Sequence, residues 1–182
     1  ARKPVLRSIL DDSEIKLPDR FYYATCHREE NTGDDRVLSD LLNALDSLDA
    51  PVVYPVHPRN RNAVRQAVTQ NRYASILFVD PVGYLESIYL TNNAEQIITD
   101  SGGLQREAFF AGKKCTTVLD FEVWPETMVA GRNLLAKPTR ASIINCTSQP
   151  QTIDKDYQPF GNGCASKQIA ECVQDLIKEI AS

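Results

Sequence analysis

The chain has 182 residues, with 20 Lys and Arg against 24 Asp and Glu for a net charge of -4, and 42% of its side chains are apolar. Those proportions exclude collagen, coiled coil and wholesale disorder, and without a cluster of Lys and Arg they argue against nucleic acid or an anionic membrane as partner. A chain of this length buries roughly 70% of the surface its unfolded form exposes, so a single domain over residues 1–182 needs neither disulfides nor metal for a core.

No apolar run approaches the roughly 20 residues that cross a bilayer, and Arg2 and Lys3 are followed by no signal-peptide core, which points to a cytoplasmic protein. Five cysteines at irregular spacing, with no C-x-x-C and only two histidines, point to reduced thiols and no zinc site. The chain starts at Ala1 without Met, and a short helical stub is expected over residues 5–10. Both features suggest a piece of a larger protein.

From there, short β-branched or aromatic runs alternate with amphipathic stretches, the pattern of a parallel sheet covered by helices on both faces. Six buried strands are expected, over 21–26, 52–56, 76–79, 96–99, 115–119 and 133–136. Between the first two, Leu38, Leu41, Leu42, Leu45 and Leu48 form the apolar stripe of one helix. A second helix is expected from Pro58, carrying Val64 and Val68, a third from Tyr84 with Leu85, Ile88 and Tyr89, and a fourth over 104–112 after Gly102 and Gly103. Residues 138–148 read as a further helix and 149–163 as a polar, Pro- and Gly-containing segment. A last helix over 167–181 carries Ile169, Cys172, Val173, Leu176, Ile177 and Ile180 at helical spacing.

If these strands take the common doubly wound order 3-2-1-4-5-6, a ligand is expected beyond the carboxyl ends of the first and fourth, where the order reverses. The loops there are the most polar in the chain: Thr25-Cys26-His27-Arg28-Glu29-Glu30-Asn31-Thr32-Gly33 and Thr99-Asp100-Ser101-Gly102-Gly103. Ser101 can cap the helix that follows, and Gly102 and Gly103 expose backbone N–H groups at its positive end, which makes an anion cradle. Ser-Gly-Gly by itself only starts a helix; its place at the switch point is what favours a phosphate. There is no G-x-G-x-x-G after the first strand and no P-loop. Glu107, one turn into that helix, can accept hydrogen bonds from vicinal hydroxyls or sit solvated beside Arg106. His27 reads as an acid, base or phosphate donor, or as a structural histidine of its loop. His57, one strand away from the crevice, leans toward a structural or regulatory role.

Taken in order, Thr25-Cys26-His27-Arg28-Glu29-Glu30-Asn31, Tyr54-Pro55-Val56-His57-Pro58, Asp80-Pro81-Val82-Gly83-Tyr84-Leu85 and Thr99-Asp100-Ser101-Gly102-Gly103-Leu104-Gln105-Arg106-Glu107-Ala108 resemble successive motifs of the non-hydrolysing UDP-N-acetylglucosamine 2-epimerases. Pro125-Glu126 and Pro159-Phe160-Gly161-Asn162-Gly163-Cys164-Ala165-Ser166 extend the resemblance over nearly the whole chain, as the C-terminal half of the family protein. The resemblance implies a Rossmann-like domain of a GT-B architecture, a UDP-sugar substrate, no cofactor and no metal. It also implies a missing N-terminal domain that carries the acid/base carboxylates, and a homodimer for the full-length protein. The implied reaction inverts C2 of the sugar by eliminating UDP to a glycal and re-adding it on the other face.

By the same resemblance Ser101, Gly102 and Gly103 hold the diphosphate, Glu107 the ribose, and the turn from Val82 to Ser87 faces uracil, while His27 reaches the diphosphate side of the reaction centre. Two departures stand out. Leu119 occupies the place of a usual arginine, and Ser87 that of a common aromatic, which points to a related UDP-sugar, modified or acidic. The competing readings are the nucleotide-sugar domain of a GT-B glycosyltransferase and a non-catalytic UDP-sugar-binding module. The His-Arg-x-Glu-Asn string favours the epimerase and Leu119 the module.

Overall fold

In the computed structural model, which describes residues 3–71, 73–150 and 156–181, the chain opens with a small antiparallel hairpin, β1 (Leu6–Arg7) and β2 (Glu14–Ile15). The helical stub expected over residues 5–10 is thereby corrected. Asp11 Oδ1 accepts from both the backbone N–H and the hydroxyl of Ser13, and Asp12 takes a φ of 60°, a left-handed position that Asp tolerates. This turn folds Leu6 into the core and lets Ser8 bridge Val79. The hairpin therefore covers an edge that would otherwise expose unpaired backbone groups.

The main sheet is formed by β3 (Tyr22–Thr25), β4 (Val52–Pro55), β5 (Ile76–Val79), β6 (Gln96–Thr99), β7 (Lys114–Val118) and β8 (Asn133–Ala136). All neighbours pair in parallel, in the order β5-β4-β3-β6-β7-β8. These are the six expected strands in the doubly wound order, and the order reverses between β3 and β6 as the sequence suggested.

Eight helices complete the described residues: α1 (Glu29–Thr32), α2 (Asp35–Asp46), α3 (Arg61–Gln70), α4 (Tyr84–Asn93), α5 (Gly102–Phe110), α6 (Pro125–Met128), α7 (Arg140–Ser148) and α8 (Ala165–Ala181). Alternation along each strand feeds two cores. Tyr22, Ala24, Val52, Tyr54, Ile76, Phe78 and Ile98 face the leucines of α2, Val64 of α3 and Ile143 of α7. Phe21, Tyr23, Val53, Val79 and Ile97 face Leu90 of α4, Leu104 and Ala108 of α5, and the hairpin's Leu6. On α2, Leu38, Leu41, Leu42 and Leu45 are all at 1% exposure or less, whereas Leu48, expected on the same stripe, lies past the helix end and is partly buried. Burying each of the leucines on α2 contributes about 1.5–3 kcal/mol.

The second helix enters through a 3-10 turn, Pro58–Asn60, before α3 begins. Helix α8 forms where expected, but Ile169, Val173, Leu176, Ile177 and Ile180 are exposed along it. Of the polar segment expected over 149–163, residues 151–155 lie outside the described residues, and Phe160 packs on Phe109, Phe110 and Trp124. Among the described residues no helix is long and apolar enough to cross a membrane.

Candidate nucleotide site at the switch point

The loops that leave β3 and β6 are tied together by one carboxylate. Asp100, fully buried, follows β6, and its Oδ2 accepts from the backbone N–H groups of His27 and Arg28 at 2.8 and 2.9 Å and from Asn31 Nδ2 at 3.0 Å. Asn31 Nδ2 also donates to the carbonyl of Val118 at 2.9 Å, and the hydroxyls of Thr25 and Thr99 pair at 2.7 Å. These bonds set the imidazole of His27, with Nδ1 lying 3.2 Å from Asp100 Oδ1. Burial, and then the Asp100 charge, push the Cys26 thiol well above its ordinary value, so it is an inert core thiol despite standing next to His27.

The helix opening after β6 has the geometry of an anion cradle. Ser101 caps α5 by accepting from the Leu104 N–H at 3.4 Å, and its own N–H donates to Thr99 Oγ1 at 2.9 Å. The N–H groups of Gly102 and Gly103 lie in the first turn, where no intrahelical acceptor exists. The two glycines differ, however. A Cβ on Gly103 would meet only Ser101 Oγ at 3.6 Å, whereas one on Gly102 would press on Trp124 Nε1 at 3.1 Å and Val123 Cγ1 at 3.2 Å. Gly102 is small because a side chain packs over it, and only Gly103 has its open side on the cleft.

That open cleft, of about 300 Å³, is lined by Tyr23, Thr25, Cys26 and His27 at the end of β3, Pro55 and His57 at and beyond the end of β4, and Pro81, Val82, Tyr84 and Ser87 around the start of α4. Ser101, Gly103, Leu104 and Glu107 close the fourth side. The structure thus brings together His27, His57, Val82, Ser87, Ser101, Gly103 and Glu107, and leaves Gly102 outside the lining. His57 is a correction: its ring is stacked on His27 with centroids 5.7 Å apart and lines the cleft, so it borders the crevice although it follows the neighbouring strand. It has a structural task as well, since its Nδ1 accepts from the Arg59 N–H at 3.2 Å.

Glu107 is half-buried in the cleft, and desolvation raises its carboxyl above the ordinary value, opposed in part by Arg106. It is not the solvated partner of Arg106, whose guanidinium lies 4.3 Å over the Trp124 ring. Ser87 shares a hydrogen bond of 3.0 Å with the Tyr23 hydroxyl, and burial pushes that phenol up to about 12. Leu119 does not line the cleft. Its apolar side chain, at the end of β7, is buried at 1% exposure, so the departure at this position reaches a ligand only through packing. Sequence reasoning assigned no task to Tyr23, Asp100 or Trp124. Asp100 lay inside a motif already singled out, Tyr23 lay in the first expected strand, and Trp124 is the chain's one tryptophan.

Residues 2–174 match the profile of the UDP-N-acetylglucosamine 2-epimerase family, and the chain belongs to that family. It is 41% identical over 163 residues to the UDP-2,3-diacetamido-2,3-dideoxy-D-glucuronate 2-epimerase of Pseudomonas aeruginosa, covering 87% of this chain and 45% of that protein. A UDP-N-acetylglucosamine 2-epimerase of Methanococcus maripaludis is 33% identical, covering 88% of this chain and 46% of the relative. Among solved structures, the UDP-GlcNAc 2-epimerase of Methanocaldococcus jannaschii in complex with UDP-GlcNAc and UDP superposes with a TM-score of 0.72 at 28% identity, over 86% of this chain and 45% of the other. The chain spans about half the length of the relatives it matches.

Proposed function

We propose, from that membership and from the cleft, that residues 1–182 are the UDP-binding C-terminal domain of a two-domain UDP-sugar 2-epimerase of GT-B architecture. The observation that carries the reading is the placement of the α5 opening, with Ser101 and Gly103, and of the half-buried carboxylate of Glu107, one turn along the same helix, both lining one cleft. A nucleoside diphosphate needs this pairing: N–H groups for the phosphates and a carboxylate for two vicinal hydroxyls. In this reading the turn from Val82 to Ser87 borders the base, and His27 stands on the diphosphate side. An epimerase of this kind breaks the C1–O bond to UDP as the C2 proton leaves, then reverses both steps on the other face. The chain supplies a diphosphate site and an imidazole to stabilise the leaving charge, while the carboxylates that move the C2 proton belong to the other half. A cytoplasmic location and a homodimer of the complete protein are part of the same proposal.

The sugar is read as a UDP-linked N-acetylhexosamine. A second reading, an acidic diacetamido uronate, is favoured by the 41% identity to the Pseudomonas relative named for that substrate. Calorimetry on this chain tests the core of the proposal. UDP should bind, and UDP-GlcNAc should show no deuterium exchange at C2 with this chain alone. No heat at millimolar UDP, or exchange without the other half, would sink the reading. The two sugars are separated by assaying the complete protein with each.

A further inference from the structure

His27 and Asp100 are 73 residues apart in sequence, and the switch-point topology brings them together, with the partly exposed His27 ring lining the cleft and Asp100 fully buried. The two oxygens of Asp100 are used differently. Oδ2 takes three donors, the N–H groups of His27 and Arg28 and the amide of Asn31. Oδ1 is also buried, has no hydrogen-bond partner among the described residues, and lies at ion-pair distance, 3.2 Å, from Nδ1 of His27. A buried carboxylate oxygen without a donor is costly, so the imidazole proton of neutral His27 is drawn to Nδ1. His57, stacked on the same ring, is held the other way: its Nδ1 accepts from the Arg59 N–H, which leaves its proton on Nε2.

We propose that Asp100 is a positioning residue that fixes His27 as the Nδ1–H tautomer, so that Nε2 alone exchanges a proton or hydrogen bond with a ligand in the cleft. When Nε2 is protonated the ring is an imidazolium, and Asp100 balances its charge through Nδ1–H while Nε2–H donates to the departing phosphate oxygen. The tautomer assignment stands on the geometry of this chain. Its bearing on turnover rests on the epimerase reading above.

Asp100→Asn separates the two tasks of the carboxylate. Only the amide oxygen can accept the three donors around Oδ2, which places the amide nitrogen at the Oδ1 position, pointing a donor at His27 Nδ1. The imidazole must then accept there, and its proton moves to Nε2. Both histidines of the chain can be followed by long-range proton–nitrogen correlation NMR of this chain at about pH 9, well above the ordinary imidazole value of about 6.5. Expected is Nδ1–H for His27 and Nε2–H for His57 in the parent, with His27 alone switching to Nε2–H in Asp100→Asn.

A parent His27 in the Nε2–H form, or a folded variant in which His27 does not switch, overturns the proposal. If the variant does not fold, the parent spectrum alone decides. In the complete two-domain enzyme, Asp100→Asn should lower kcat on the order of 10²- to 10⁴-fold with KM nearly unchanged. Unchanged kcat in a variant whose His27 has switched overturns the positioning role, whereas a complete parent protein with no epimerase activity overturns the function reading and leaves the tautomers standing.

Discussion

Glu107 should lower the stability of the folded chain while raising its affinity for a ribonucleotide, and the two effects can be read separately. Its carboxyl is raised above the ordinary 4.5 because desolvation outweighs the attraction of Arg106. A raised acid holds its proton more tightly folded than unfolded, so the ionised form is penalised by folding. The penalty is full above the folded value, shrinks as pH falls through it, and vanishes below 4.5. Glu107→Gln should therefore melt higher than the parent at pH 7, with the difference closing in acid. For the ligand, a carboxylate accepting from hydroxyls is worth about 1.5–3 kcal/mol, or roughly 10- to 150-fold in Kd. UDP should bind the parent more tightly than dUDP by a share of that range, and Glu107→Ala should bind the two nearly alike. Thermal denaturation across pH and calorimetry with both nucleotides make the test. Equal affinity of the parent for UDP and dUDP would refute the ribose role, and a Glu107→Gln variant less stable than the parent at pH 7 would refute the desolvation account.

Gly103→Val should abolish UDP binding by filling the cradle, with a normal circular dichroism spectrum, because its Cβ meets only Ser101 Oγ at 3.6 Å. Gly102→Val should instead lose about 1–3 kcal/mol of stability, read by urea denaturation, since its side chain must displace Trp124 and Val123. Tyr54→Phe removes the buried 2.7 Å bond to the Cys26 carbonyl and should cost about 1 kcal/mol in the same assay. His27→Asn in the complete enzyme should lower kcat and kcat/KM together, about 100-fold, with KM nearly constant; a change in KM alone would make His27 a ground-state binding residue.

The six strands were legible because a parallel strand buried on both faces reads as a short run of apolar and β-branched residues, and each lies within one residue of its expected bounds. The leucine stripe of α2 was legible for a similar reason, since Leu38, Leu41, Leu42 and Leu45 recur at the helical period and all are buried. The hairpin was not. Its strands have two residues each, too few to show alternation, and the signal that could have found it was the Asp11-Asp12-Ser13 turn between them. His57 was misplaced for another reason: strand order says which loop leaves which strand but not how far that loop leans. Here the His57 ring, just before the Pro58–Asn60 turn, lies within stacking distance of His27.

Asp100 shows why the candidate site was legible as a location before it was legible as a mechanism. A polar residue after the fourth strand is expected wherever a ligand binds at a switch point, and nothing in its neighbours separates a ligand contact from a residue buried beneath one. The distinction lies in partners from the other loop, 69 to 73 residues away, that only parallel pairing of β3 with β6 can deliver. A buried carboxylate is tolerated because three donors converge on one oxygen, and that convergence leaves the second oxygen to His27. Holding the two loops together and setting the tautomer are therefore one arrangement, in which the cross-strand bonds that make the crevice also determine which nitrogen of His27 the crevice can use.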